Sequence, residues 1–241
     1  MNDQKCESDK KNIIEINDLT KKYGSVTALD GLNLKIPQGQ LSVLIGPNGS
    51  GKSTLLKILS GLAYIDRGKV KLLNNVPSRL SKERFVFQPE VDYLSNNLKI
   101  SNMIDFYSSQ FTTFNAEKAL NIADRMNLNL EMKISSLSKG MKARLKLTLS
   151  MARKVKLYLL DEPLAGIDPQ SRSYILETLN QEFTAGDKSV IMSTHEVMEA
   201  EKYFDYVIML EKGRVKLTGY ADDLREENGI SLKELMGEVF D

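Results

Sequence analysis

Gly46-Pro47-Asn48-Gly49-Ser50-Gly51-Lys52-Ser53-Thr54 sets glycines, one lysine and three hydroxyls at the spacing of a P-loop. The glycines let the backbone curl until successive N–H groups point inward, and a helix opening at the loop's end adds its unpaired N–H groups and positive dipole end. Such a cradle holds phosphates. Lys52 reaches the β- and γ-phosphates as a point charge, and the Ser53 hydroxyl coordinates Mg²⁺ beside them.

Three further stretches carry chemistry of the same kind. Asp161 and Glu162 follow the apolar run Leu157–Leu160. A carboxylate at the end of a buried strand can hold Mg²⁺ through its water shell, while its neighbour polarises an attacking water. His195 is the only histidine of the chain. Ser193-Thr194-His195-Glu196 reads as a capping box opening a helix with Val197 and Met198, so the helix dipole keeps the imidazole neutral and able to donate to a γ-phosphate oxygen. Leu137-Ser138-Lys139-Gly140-Met141 offers a second phosphate-binding helix start, with Ser138 and the N–H of Gly140 facing forward. One nucleotide cannot easily use both starts in one molecule. Two copies facing head to tail can share them, each lending its second start to the other's nucleotide.

Positioning these residues requires an open α/β sheet, in which ligands sit beyond the carboxyl ends of the strands. Leu41–Ile45 reads as the strand before the P-loop, and Leu55, Leu56, Ile58 and Leu59 as the apolar side of the helix after it. Ile13–Ile16, Leu32–Ile36 ending at Pro37-Gln38-Gly39, Val70–Leu73 and Arg84–Gln88 read as strands, and Pro89 stops the last. Gln88 thus also falls at a strand's end. From Lys99 to Asn129 the period becomes helical: Ile100, Met103, Ile104 and Tyr107 share one face, and Ala119, Ile122, Ala123, Met126 and Leu130 another. A third helix starts near Ser138 and runs to Arg153. The continuous run Leu157–Leu160 predicts a strand buried on both faces of a parallel sheet. Helix Gln170–Phe183, strands Ser189–Ser193 and Tyr206–Leu210, a hairpin turn at Glu211-Lys212-Gly213, strand Arg214–Leu217 and a short helix Ser231–Phe240 complete the reading.

The chain has 241 residues, 41% hydrophobic and 27% charged, enough for one sizeable core with at most a subdomain. Lys plus Arg number 33 against 32 Asp plus Glu, so a net charge of +1 provides no field for a polyanion and no nucleic acid partner is expected. Residues 1–12 read as a disordered polar tail without an apolar leader, and no later run is long enough to span a bilayer. Cys6, the only cysteine, has nothing to pair with, which suits a reducing compartment.

Taken together, the motifs over about residues 13–220 resemble the nucleotide-binding subunit of an ABC (ATP-binding cassette) transporter. The resemblance implies ATP and Mg²⁺ as cofactors and an α/β fold: a P-loop core, an antiparallel β portion, a helical subdomain over about 89–155, and a helical tail over 221–241. It implies that Tyr23 stacks on adenine, Gly46–Thr54 is the Walker A loop, Leu157–Asp161 is Walker B, and Gln88 contacts Mg²⁺ and the membrane partner. Glu162 becomes the catalytic base, Leu137–Met141 the signature, Ala165-Gly166-Ile167-Asp168 the D-loop, and His195 the switch histidine. The signature departs from Leu-Ser-Gly-Gly-Gln at Lys139 and Met141, and the D-loop carries Gly166-Ile167 where Ala-Leu is usual. Leu-Ser-Lys-Gly-Met-Lys is similar to the exporter branch with separate membrane subunits, such as systems for antimicrobial or amphipathic peptides.

The function expected is ATP hydrolysis by a dimer, formed with a second copy or a homologous subunit, driving export through integral membrane permease subunits from the cytoplasmic face. The permease is expected to dock over Val91–Tyr107, where Val91, Tyr93 and Leu94 stand apolar among turn residues. The competing reading is a soluble ABC-type ATPase acting on a cytosolic complex. Neither a long coiled-coil insertion nor a second cassette is present, and the Asn-Lys-x-Asp motif of guanine readers is absent.

Overall fold

A computed structural model of the chain describes residues 11–78, 83–183, 188–195 and 198–240. Cys6 and most of the expected tail lie outside the described residues, and Asn12, assigned to that tail, already belongs to the first strand. In chain order the elements are β1 (Asn12–Tyr23), β2 (Val26–Pro37), β3 (Leu41–Ile45), α1 (Lys52–Leu59), β4 (Arg67–Leu72) and β5 (Phe85–Gln88). Then come α2 (Ile100–Gln110), α3 (Ala116–Arg125), α4 (Lys139–Met151), β6 (Leu157–Leu160) and α5 (Pro169–Phe183). The chain ends with β7 (Ser189–Thr194), β8 (Tyr206–Glu211), β9 (Arg214–Tyr220), α6 (Ala221–Asn228) and α7 (Leu232–Phe240).

Two sheets form. The antiparallel one has the order β2-β1-β4, and the six-stranded one β5-β6-β7-β3-β8-β9. In the larger sheet every pair is parallel except β8–β9, whose turn uses positive φ at Lys212 (48°) and Gly213 (76°), the backbone that a two-residue hairpin demands. The parallel strands are buried on both faces, as their uninterrupted apolar sequences require. In β3, Leu41, Val43 and Ile45 join the core beneath the helices, while Leu44 joins the core with α1 and the antiparallel sheet. In β6, Tyr158 and Leu160 take the first side, Leu157 and Leu159 the second.

The expected helical stretch is two helices. Asn115 separates them, its Oδ1 accepting from the N–H of Lys118 at 2.8 Å to cap α3. Ile100, Met103 and Ile104 of α2 and Ala119, Ile122 and Ala123 of α3 are all buried in the core shared with β3 and β6. At the far end two helices occupy 221–240, the first of them without a strong apolar period of its own. The second opens with a reciprocal box: Ser231 Oγ accepts from Glu234 N–H, and the Glu234 carboxylate accepts from Ser231 N–H.

Candidate nucleotide site

The loop between β3 and α1 is shaped by close approaches that only glycine permits. A Cβ on Gly46 would stand 2.1 Å from the carbonyl oxygen of Leu210 in β8, and one on Gly51 2.6 Å from that of Ala28 in β2. Gly49 and Gly51 have φ of 80° and 109°, so the loop turns through conformations that L residues avoid. Gly213, in the β8–β9 turn, donates its N–H to Ser50 C=O at 2.9 Å and ties the loop to the sheet. Helix α1 then starts at Lys52 with no acidic residue in its first turn, leaving its positive end available to an anion.

Lys52 is 6% exposed, and its Nζ donates to the carbonyl oxygens of Gly46 (2.7 Å) and Pro47 (3.3 Å). The same ammonium lies 3.5 Å from Glu162 Oε1. Ser53 Oγ donates to Asp161 Oδ1 at 3.0 Å, so the hydroxyl and the carboxylate expected to share a cation meet across 108 residues of sequence. Asp161 is buried, and its N–H donates to Gln88 C=O at 2.9 Å, fixing the ends of β5 and β6 side by side.

Ser193 keeps its strand reading and loses its capping role. It stays in β7 rather than capping a helix, donating its hydroxyl to Asp161 Oδ1 at 2.7 Å and accepting the N–H of Glu162 at 2.9 Å. The parallel register, Leu160 opposite Met192, carries Asp161 and Ser193 to neighbouring strand ends. That pairing was the available signal, but it requires knowing that β6 and β7 adjoin. The capping-box reading fails because Ser193 and Thr194 both remain in β7, so the residue after the expected cap is extended, and the serine hydroxyl is spent on Asp161 just beyond the neighbouring strand's end. Glu196 and Val197, also part of that reading, lie outside the described residues, and Met198–Tyr203 is a short 3₁₀ helix.

His195 stands in the bend after β7 with Nδ1 3.0 Å from Glu162 Oε2. A neutral ring that donates from Nδ1 to this carboxylate has an acceptor at Nε2. Donation to a phosphate from Nε2 at the same time needs the doubly protonated ring, a condition the sequence reading did not contain. Glu162 itself has φ of 46°, a left-handed conformation that costs a non-glycine residue about 1–2 kcal/mol and is held here by Ser193, Lys52 and His195.

A cleft of about 400 Å³ brings these groups together: Asn48, Gly49, Ser50, Gly51, Lys52, Ser53 and Thr54 line it with Val26–Ala28, Glu90, Glu162 and His195. Ser50 Oγ is buried with no hydrogen-bond partner, the kind of unpaired group that a phosphate cradle would satisfy. Phosphates fit the loop and a divalent cation fits between Ser53 and Asp161, on the chemistry of these donors. Tyr23, half exposed at the β1–β2 turn, pairs across the hairpin with Val26 at the rim, and Lys21 Nζ lies 5.1 Å from its ring centroid. A neighbouring cleft of about 200 Å³ is lined by Gln88, Asp161 and Glu162 together with Lys139, Lys142 and Lys146 of α4.

The signature residues stand elsewhere. Ser138 is exposed and caps α4, its Oγ accepting from Met141 N–H at 3.2 Å. Gly140 is buried against α5: a Cβ there would stand 2.5 Å from Asp168 Oδ2 and 2.4 Å from Ser171 Oγ. Asp168 in turn caps α5, accepting from Ser171 N–H at 2.8 Å, and this hydrogen bond leads in holding its carboxyl below the usual range. Lys139 reaches over Gly166, where a Cβ would meet Nζ at 2.3 Å, so the unusual residues of the two loops sit against one another.

A glycine loop between parallel strand and helix, with an acidic strand end and a histidine on one cleft, defines a P-loop nucleoside triphosphatase of α/β fold. The ABC transporter family model matches residues 29–165. Nod factor export ATP-binding protein I of Rhizobium etli is 32% identical over 223 residues, covering 89% of this chain and 70% of that protein. Its namesake in Burkholderia orbicola is 32% identical over 234 residues, covering 93% and 76%. Among solved structures, the ATP-binding subunit of an ABC transporter superposes with a TM-score of 0.82 at 28% identity, over 94% of this chain and 99% of that one. A dimeric bacterial ABC transporter cassette shares the fold at a TM-score of 0.75 and 22% identity, over 86% and 98%. The chain belongs to the ABC transporter ATP-binding family, and its nucleotide chemistry is that of an ABC ATPase. A soluble ATPase unconnected with transport is not favoured by these relatives.

Proposed function

We propose that this chain hydrolyses ATP to drive export through separate integral membrane permease subunits, working at the cytoplasmic face of the membrane as a head-to-tail dimer with a second copy or a homologous subunit. The observation that carries this reading is the separation of two anion-binding helix starts: α1 opens onto the cleft with Glu162 and His195, whereas Ser138 at the start of α4 is not among that cleft's lining residues. A partner's Ser138 and Gly140 would complete the site from outside. Lys52 and the loop would hold the phosphates, Ser53, Asp161 and Gln88 would hold Mg²⁺, Tyr23 would stack on the base, and Asp168 would lie at the dimer contact. Mg²⁺ supplies charge neutralisation at the phosphates. Glu162 draws the proton from the attacking water, and His195 keeps that carboxylate oriented.

The relatives' names support export as the direction. No helix among the described residues is long and apolar enough to cross a membrane. A cleft of about 380 Å³ suits contact with the permease, with Leu62, Phe87, Tyr93, Tyr107 and Phe111 around the Arg153 guanidinium. Val91 is 69% exposed beside it, while Leu94, at 6%, packs into the core and leaves the expected docking set. Tyr93→Asp should weaken co-purification with a solubilised permease while the isolated subunit still hydrolyses ATP. Leu62→Asp, at a half-exposed position, makes the same test with less risk to the fold. Both variants melting normally and co-purifying as well as wild type would place the docking surface elsewhere.

A further inference from the structure

Helix α4 presents Lys142, Lys146 and Ser150 on one face, at i, i+4 and i+8. The two lysines end on the segment that follows β5, and the serine on Gln88, the last residue of β5 itself. Lys142 Nζ donates to Asp92 Oδ2 at 2.8 Å and to Asn96 Oδ1 at 3.3 Å. Lys146 Nζ donates to the carbonyl oxygens of Glu90 (3.1 Å) and Val91 (2.9 Å), and stands 5.3 Å from the Tyr93 ring centroid. Ser150 Oγ donates to Gln88 Oε1 at 2.9 Å, both residues being nearly inaccessible to water. Rising along the helix corresponds to falling along the loop, from 92 to 88. The segment is therefore fastened along its length to the helix that begins at Ser138.

The oxygen caught by Ser150 is the one through which Gln88 would meet a cation. A carboxamide oxygen has two lone pairs, so the serine need not exclude a metal outright. It sets the direction of the group and draws on its electron density. Ser150 is also within hydrogen-bonding reach of the Tyr93 side chain, and in so dry a pair water cannot substitute freely.

We propose that Ser150 is a positioning residue for ATP hydrolysis: its hydroxyl competes with Mg²⁺ for the Gln88 side-chain oxygen, while Lys142 and Lys146 keep the rest of the segment on the same helix face. The proposal rests on the reading of Gln88 as a cation contact. Its consequence is that the serine and a cation draw on the same oxygen, so each weakens the hold of the other without excluding it.

The test is a Mg²⁺ titration of the full chain, read both as equilibrium binding of ATP and as ATPase activity, with Ser150→Ala, Ser150→Thr, Gln88→Ala and the double variant Gln88→Ala/Ser150→Ala. Ser150→Ala should lower the half-saturating Mg²⁺ concentration roughly 2- to 10-fold, the span of one net hydrogen bond. Ser150→Thr, which keeps the hydroxyl, should stay near wild type. Gln88→Ala should raise the half-saturating concentration, and the double variant should match it, because the serine has nothing left to hold. A serine acting only through packing would give the same shift with or without Gln88, so additive effects overturn the proposal, as does a silent or opposite Ser150→Ala. Gln88→Ala without effect on the titration overturns the reading of Gln88 and the proposal with it. Should Ser150→Ala not fold, Ser150→Cys, with its weaker donor, enters the same cycle and should shift in the same direction.

Discussion

Replacing Glu162 by Gln separates its chemistry from its packing. The carboxylate has its Oε1 3.5 Å from Lys52 Nζ and its Oε2 3.0 Å from His195 Nδ1, on a side chain only 7% exposed. Glutamine keeps the volume and removes the charge and the basicity. Lys52 is not orphaned, since the carbonyls of Gly46 and Pro47 still accept from it. The loss in stability should therefore fall well short of the roughly 3–5 kcal/mol that follows when one member of a buried ion pair is stranded. ATP binding should hold or tighten, because one negative charge near the phosphates is gone while Lys52 remains. Turnover should collapse: a positioned general base is worth about 10²–10⁴ in rate, or roughly 3–5 kcal/mol of barrier. Phosphate release measures the rate, equilibrium nucleotide binding the affinity, and gel filtration with ATP the dimer that should accumulate. Turnover within about tenfold of wild type would remove Glu162 from the proton transfer, below the smallest effect a general base gives. Normal folding with lost ATP binding would instead make it a support of the loop.

The left-handed backbone at Glu162 predicts that Glu162→Gly melts higher than Glu162→Ala, by about 2–4 °C for roughly 1 kcal/mol of relieved strain, with both inactive; equal melting points would mean the strain is not stored there. Mixing Lys52→Ala with Ser138→Arg chains should restore some ATPase activity, because one composite site of the heterodimer is then intact; silence from heterodimers shown to form, with that site unable to bind ATP, would refute head-to-tail sharing, whereas silence with the site occupied would mean that both sites must work together. Glu182 on α5 pairs with Lys118 and Arg125 of α3: burial pushes its carboxyl up, but the hydrogen bonds and charges of both cations outweigh it and hold it below the ordinary 4.5. A depressed folded-state value contributes stability that is present above the unfolded-state value and lost as pH falls through the folded one. Glu182→Gln should thus melt lower than wild type near neutrality, and the gap between the two should close in acid as pH falls through the depressed folded-state value; a constant gap would rule out the ion pairs as its cause.

What the sequence determined by itself was whatever depends on neighbours along the chain. The P-loop is legible because its strand, glycines and helix are contiguous, and Leu157–Leu160 because four consecutive apolar residues have to be covered on both sides. Asn115, which caps a helix from one position, was missed only as a boundary, and Ser231 was read at the start of the helix it caps. Tertiary structure decided everything that depends on which strands adjoin. Ser53 meets Asp161 across 108 residues, and Ser193 meets Asp161 across 32, because β3, β7 and β6 lie side by side in that order. Strand order has no local signature, so Ser193 looked like a cap and proved to be a brace. Ser150 and Lys146 were read as helix residues and proved to hold the segment carrying Gln88. Periodicity specifies that a face is covered, but the partner is chosen by packing elements far apart in sequence, where loop closure and core shape decide between contacts of equal local merit.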